Sequence, residues 1–338
     1  MRKKNATIYD VAKAAGVSPS TVSRAFSNPA RVSTDSAERI FSAARELGFR
    51  SSGASYASGN KATHVLCLMV ADMANPTFAT MYRGFHKAAD ENGYAVVIAN
   101  SDESGAIEAH TLRKVLPDVD GVALASSRLT PAAILQVEKI KPLVLMNRYL
   151  DGHTCIVPDT AGGMTAVCTE LKRLGHTNVL YLAGPEMSWA NAMRWRALQD
   201  QCHANGLTLT RTKFLSPDLH GGADGARIWN RSITSAVVAY NDLMAFGFMR
   251  QAHRLGAKIP YDVSVIGVDD SSICDMADPE LTSLSTGSFE IGYKAAMFLI
   301  AQATNRSRRE RTTIVVPMSL HMRASLGQAK GGRDDSEM

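Results

Sequence analysis

The 338-residue chain has no long hydrophobic run; its longest, residues 65–71, falls far short of the ~20 residues a membrane-spanning helix needs. Arg2, Lys3 and Lys4 are basic, but no apolar segment follows them, so the expectation is no export signal and a cytoplasmic protein. Cysteine is sparse. Cys67, Cys155, Cys168, Cys202 and Cys274 are scattered, without a C-x-x-C pair, and read as small buried hydrophobes in a reducing compartment rather than disulfides or zinc ligands. H-E-x-x-H, the Walker A loop and G-x-S-x-G are absent, and the nine histidines show no metal-ligand spacing. Gly221-Gly222-Ala223-Asp224-Gly225-Ala226 is glycine-rich but lacks the G-x-G-x-x-G spacing of a dinucleotide site. These absences argue against an enzyme, a metal and a cofactor.

What is present is a soluble globular balance, 45% hydrophobic and 20% charged, with enough chain for two or three domains. Charge is unevenly placed. Residues 1–64 hold ten Lys/Arg and four Asp/Glu, a charge of +6, so with a net charge of +5 the remaining 274 residues carry −1. A small basic head on a near-neutral body suits a polyanionic partner held by the head alone.

The head reads as three helices. Thr7 and Asp10 form a capping box, after which Ile8, Val11, Ala12 and Ala15 share one apolar face. Gly16 ends this helix, Ser18 caps the next and Pro19 stands at its first position, where a missing N–H costs nothing. The second helix, about 19–26, buries Val22 with Ala25 or Phe26 and shows Ser20, Thr21, Ser23 and Arg24 outward. A third starts near Ser33, with Ala37, Ile40, Phe41, Ala44 and Leu47 on its buried face. Two helices around a short glycine turn, with a third in support, make a helix-turn-helix. A short, polar, basic second helix is what a major groove accepts: hydroxyls reach phosphates and Arg reaches guanine edges.

The seventeen residues Ile8-Tyr9-Asp10-Val11-Ala12-Lys13-Ala14-Ala15-Gly16-Val17-Ser18-Pro19-Ser20-Thr21-Val22-Ser23-Arg24 closely resemble the head signature of the lactose/galactose repressor family. Asn28-Pro29, Val32-Ser33 and Leu47-Gly48-Phe49 continue the resemblance. It implies base reading by Pro19, Ser20 and Arg24 and backbone contacts from Thr7, Ser18, Thr21, Ser23 and Arg31, with Tyr9 also facing DNA. The partner it implies is a pseudo-palindromic operator bound by a homodimer.

The pattern weakens after the third helix. Where the family resembles Pro-Asn-x-x-Ala-Arg-Ser-Leu, this chain has Ser51-Ser52-Gly53-Ala54-Ser55-Tyr56-Ala57-Ser58, a flexible linker by composition. Two readings stay open: Tyr56 replaces the leucine wedge in the minor groove, or the operator is kinked less than in relatives.

From Val65 onward, apolar runs at residues 65–70, 95–99, 121–125, 143–146, 179–183, 235–239, 264–268 and 313–316 read as strands. Amphipathic helices alternate with them, which implies mostly parallel sheets covered on both faces. Ligands bind such sheets at the carboxyl ends of the strands. There lie Asp72 and Asn75-Pro76, Ser126-Ser127-Arg128, Asn147-Arg148, Asn241-Asp242 and Asp269-Asp270, groups that hydrogen-bond vicinal hydroxyls.

The family resemblance extends through Asp72-Met73-Ala74-Asn75-Pro76-Thr77-Phe78, Asp120-Gly121-Val122, Gly184-Pro185, Asn241-Asp242-Leu243-Met244-Ala245 and Val268-Asp269-Asp270 to Pro317, Leu320 and Arg323. It implies a periplasmic-binding-protein-like body of two Rossmann-like subdomains joined by three crossovers. It further implies effector ligands Asn147, Arg194, Asn241 and Asp269, with Phe78 and Trp189 as walls. Arg196 remains an alternative to Arg194, and His220 stands near a position often aromatic.

The resulting layout is a helix-turn-helix in residues 1–50, a hinge linker in 51–62, and an effector-binding and dimerisation domain in 63–329. That domain comprises one subdomain of about 63–159 plus 289–317 and another of about 160–288 plus 318–329, followed by a disordered tail, 330–338. The function expected is a transcriptional repressor under control of a sugar-like effector. A purine-type corepressed regulator, an effector-blind DNA binder and a transport-type sugar-binding protein are its rivals; the last lacks support because the chain has a DNA-binding head.

Overall fold

The computed structural model describes residues 6–27, 31–47, 62–232, 234–304 and 311–330. Tyr56 and Ser58, the linker around them, and the expected tail from residue 331 lie outside the described residues. The chain folds as two compact units, Met1–Ala62 and Thr63–Met338.

In the first unit, α1 (Ile8–Ala15) opens with the expected capping box: Asp10 N–H donates to Thr7 Oγ1 at 3.3 Å, and Thr7 N–H donates to the Asp10 carboxylate at 2.8 Å. Gly16 follows at φ +67°, a backbone that glycine adopts without strain. Ser18 caps α2 (Pro19–Ser27) by accepting the Thr21 N–H at 3.1 Å. With α3 (Thr34–Glu46) these helices enclose Val11, Ala12, Ala15, Val22, Ala25, Ile40, Ala43 and Ala44. Phe26 and Phe41 meet edge to face with centroids 5.1 Å apart.

The second unit alternates strand and helix. Its first stretch runs β1 (Val65–Val70), α4 (Pro76–Glu91), β2 (Ala95–Asn100), α5 (Gly105–Val115), β3 (Gly121–Ala125), α6 (Pro131–Ile140), β4 (Leu143–Met146) and β5 (Cys155–Pro158). Next come α7 (Thr160–Arg173), β6 (Asn178–Leu182), α8 (Trp189–Asn205), β7 (Thr208–Arg211), α9 (Leu219–Trp229), β8 (Ala236–Ala239) and α10 (Asp242–Arg254). They are followed by β9 (Ser264–Val268), α11 (Ile273–Met276), β10 (Thr282–Ser285), α12 (Ser288–Thr304), β11 (Thr313–Val316) and β12 (Ser319–His321). Two six-stranded sheets result, ordered β11-β5-β4-β3-β1-β2 and β12-β10-β9-β8-β6-β7. The first is wholly parallel; in the second only β12 runs antiparallel, against β10. The chain changes sheet after β5, after β10 and between β11 and β12, so each lobe is built from separated stretches of sequence.

Each lobe contains one helix pair packed at glycine. A Cβ on Gly84 of α4 would lie 1.9 Å from the Phe289 carbonyl of α12, and one on Gly292 would lie 2.0 Å from that of Met81. Between α9 and α10, Gly222 and Gly247 stand in the same relation to the carbonyls of Met244 and Leu219, at 2.1 and 2.2 Å. The glycine-rich 221–226 segment therefore serves helix packing.

All five cysteines are buried and unbridged, with the Cys168 and Cys202 sulfurs 3.7 Å apart between α7 and α8. Among the described residues, no helix is long and apolar enough to cross a membrane.

Candidate functional site

The second unit contains a pocket enclosing about 390 Å³ with its mouth, lined from both lobes at the carboxyl ends of the strands. Phe78, Asn147, Arg194, Asn241 and Asp269, all named from sequence, line it together. So do Asp72, Asn75 and Ser126, which the strand-end reading had flagged as polar, and Thr77, Glu103, Ala190, Pro217 and Tyr240, which it had not. Trp189 does not line it and is corrected as a wall. It opens α8 in the second lobe and packs, half-buried, against the first-lobe core that includes Leu129 and Leu145; its neighbour Ala190 takes the lining position. His220 is exposed, at the start of α9. Arg194 is 4% exposed and lines the pocket, whereas Arg196 faces solvent.

Backbone conformation aims several of these side chains. Glu103, Ser126, Asn147 and Asp269 have φ of +57°, +56°, +54° and +119°. L-residues adopt this region at a cost of order 1–3 kcal/mol each, and such positions gather at binding sites. Each sits just beyond a strand, where the turn sends the side chain into the cleft instead of along the sheet.

Arg194 is anchored to the protein at two of its nitrogens. One guanidinium nitrogen donates to the Tyr240 carbonyl and another to Asp269 Oδ1 at 3.4 Å, while its carbon lies 4.9 Å from the Tyr240 ring centroid. Burial opposes its charge, but Asp269, foremost, together with Tyr240, Tyr181 and Asp242 holds its pKa above the ordinary value. Burial pushes the Asp269 carboxyl up to about 7; Arg194 opposes that rise, Asp242 adds to it, and an Asn75 side-chain hydrogen bond opposes it. Asn241 is also engaged at both ends: its Oδ1 caps α10 by accepting the Met244 N–H at 2.9 Å, and its amide donates to the Pro217 carbonyl at 2.8 Å. Asn147 differs. It is buried, yet its Oδ1 has no hydrogen-bond partner among the described residues.

Behind the first-lobe wall, Arg128 pairs with Glu103 at 2.5 Å and donates to the Ser126 carbonyl at 2.7 Å, holding two lining residues at once. Arg148 donates to the Ser127 carbonyl at 2.7 Å.

In the head, Ser20, Ser23, Arg24 and Arg31 are exposed, Pro19 and Thr21 half-buried, and Tyr9 is 71% exposed on α1. The Thr7 and Ser18 hydroxyls are partly spent locally: Thr7 donates to Asp10 at 2.7 Å, and Ser18 meets both Ser20 and Thr21 at 2.8 Å.

Residues 7–52 match the bacterial regulatory proteins of the lacI family, and residues 168–326 match the periplasmic binding protein-like domain. The transcriptional regulator GalS of Salmonella typhimurium strain LT2 is 31% identical over 288 residues, covering 82% of this chain and 84% of that protein. The chain belongs to the lacI family of bacterial regulatory proteins.

Solved structures agree with this placement. A complex of the transcriptional regulator CelR with cellobiose superposes with a TM-score of 0.71 at 26% identity, covering 95% of this chain and 99% of that one. A lac repressor dimer bound to operator and an anti-inducer gives 0.71 at 22% over the same shares, a likeness of fold. This LacI-family chain is thus a transcriptional regulator with a helix-turn-helix head and a two-sheet α/β body, as its sequence implied.

Proposed function

We propose that the chain is a repressor whose homodimer grips a near-palindromic operator through α2 and releases it when a sugar or sugar derivative fills the pocket. In this reading Arg24 and Ser20 address base edges, Pro19 makes apolar contact, and Tyr9, Thr7, Ser18, Thr21, Ser23 and Arg31 hold the backbone. Two heads would meet successive major grooves about one helical turn apart, on chromosomal DNA in the cytoplasm. Residues 63–329 would carry the effector site and the dimer contacts. Closure of the two lobes on the effector would reset the dimer, so that operator and effector affinities are coupled in both directions.

The observation that carries the effector reading is the state of the pocket's polar groups. Asn241 is engaged at both ends by the protein and Arg194 is pinned between the Tyr240 carbonyl and Asp269, while the Asn147 oxygen is buried without a donor among the described residues. The group left wanting is an acceptor, and a ligand dense in hydroxyl donors satisfies it. The test is a thermal-shift screen of the full chain against sugars, sugar acids and nucleobases, followed by operator release with the hits. The expected result is stabilisation by an uncharged sugar and loss of operator binding at the same concentrations. Stabilisation by nucleobases alone would replace this reading with a corepressor of the purine type. No stabilisation, with selective DNA binding intact, would leave an effector-blind regulator.

A further inference from the structure

Asp269 is held in the pocket in a backbone conformation that an aspartate does not choose, φ +119°, and the residue after it, Asp270, is also left-handed, at φ +51°. Asp269 gives its own N–H to the Leu284 carbonyl at 2.9 Å. The stronger hold is on Asp270. Its N–H donates to Ser283 Oγ at 3.0 Å, one carboxylate oxygen accepts from Arg323 Nη1 at 2.9 Å, and the other lies 2.5 Å from His321 Nδ1. Arg323 also donates to the Leu281 carbonyl at 3.0 Å and pairs with Asp275 on α11 at 3.1 Å. On the far side of the His321 ring, Nε2 meets Ser319 Oγ at 3.0 Å. Ser283 Oγ in turn donates to the buried Asp242 at 2.6 Å.

His321 belongs to β12 and Arg323 follows it by two residues. Only residues 317 and 318 separate β12 from β11, a strand of the other sheet. Two residues span at most about 7 Å, so a shift of one lobe has almost no slack before it reaches β12.

We propose that His321 and Arg323 are positioning residues for Asp269: gripping Asp270 from the crossover strand, they fix the pocket carboxylate against Arg194 and make its orientation depend on how the lobes stand. The proposal rests on the reading of this pocket as the effector site and deepens it by naming what regulates the site. Neither residue touches the pocket, whose lining includes no residue of β12.

Two measurements on the full chain test it. The first needs no effector: the Asp269 carboxyl is titrated by NMR in protein labelled at the aspartate carboxyl carbons, its signal assigned by loss in Asp269→Asn. The groups facing Asp269 are Arg194, Asp242 and Asn75. In His321→Ala the carboxyl turns from Arg194 and its inflection rises by about half a pH unit or more, because an unpaired buried carboxylate is harder to ionise. His321→Gln keeps a hydrogen bond to Asp270 without the possible charge, and its inflection stays where the parent's is. The second measurement is calorimetric, with whichever of D-ribose, D-glucose, D-galactose and cellobiose stabilises the parent protein. His321→Ala binds that sugar about tenfold more weakly, the scale of one charge-assisted hydrogen bond, with operator affinity in the absence of sugar unchanged. His321→Gln binds it as the parent does. Should His321→Ala not fold, Arg323→Lys, which loses the forked grip on Asp270, Asp275 and Leu281, is read the same way.

An Asp269 inflection in His321→Ala equal to the parent's overturns the proposal. So does a Gln variant indistinguishable from Ala, which would reduce His321 to a nearby charge. If none of the four sugars binds the parent, it is the effector reading that is in question, and the titration still decides the role of His321.

Discussion

Asn75, which caps α4 in the first lobe, and Asp269, which follows β9 in the second, line the same pocket, and the Asn75 side chain favours the ionised Asp269 carboxyl. This one relationship spans the cleft between the lobes. With Arg194 on the other side, it places Asp269 where the two sheets, the pocket and the strained turn after β9 all meet.

Asp269 gives the fold a pH dependence of definite sign. Its carboxyl titrates at about 7 in the folded chain against an ordinary 3.8, so the native state holds a proton that the unfolded state has released. Stability from this group is complete below the ordinary value and is lost as pH rises through about 7. Asp269→Asn cannot ionise. Its melting temperature relative to the parent is therefore expected to climb between about pH 4 and 7 and to level off above, as scanning calorimetry would read; a constant difference would contradict the assignment.

Asp269→Ala should separate the two functions. The head is intact, so the variant retains operator binding in a mobility-shift assay, while the sugar that releases the parent protein no longer releases it. A normal response would remove Asp269 from the effector site.

Arg24→Ala should lose about 1–3 kcal/mol of specific binding and keep weak, salt-sensitive binding to any duplex. Footprinting at two salt concentrations distinguishes this from a general loss of affinity. Footprints identical to the parent's would move base reading off α2.

Gly84→Ala should destabilise the body by about 1–3 kcal/mol, because the new methyl meets the Phe289 backbone, which has no rotamer with which to yield. Gly222→Ala should do the same in the second lobe against Met244. Urea unfolding measures both; midpoints equal to the parent's would mean that the helix pairs are looser than described.

Much of the head was legible because its signals are local. Thr7, Asp10, Gly16, Ser18 and Pro19 act within four residues of their own position, and α1 and α2 begin where they indicate. Four strands were not foreseen. Cys155–Pro158, Thr208–Arg211, Thr282–Ser285 and Ser319–His321 are three or four residues long, and three of them are rich in hydroxyl groups. Thr282 and Ser283 are nonetheless fully buried, since their hydroxyls find the Arg323 carbonyl and Asp242, partners some forty residues away. Hydrophobicity cannot announce such a strand. Arg194 could have been separated from Arg196 by helical phase, because it shares a buried face with Asn191, Ala197 and Leu198. Glu103 obeys the strand-end rule that found Asn147, but only once β2 is seen to extend to Asn100. Trp189 misled because nothing in its neighbourhood encodes that it reaches the core of the opposite lobe.

The solitary Asn147 oxygen bears on which molecules this protein can tell apart. A deoxy analogue that fits the cleft but offers nothing at that point would forgo a hydrogen bond and also seal the oxygen away from water. Burying such an acceptor unmet costs about 1–3 kcal/mol. Removing one hydroxyl from a cognate sugar would thus weaken it roughly ten- to a hundredfold.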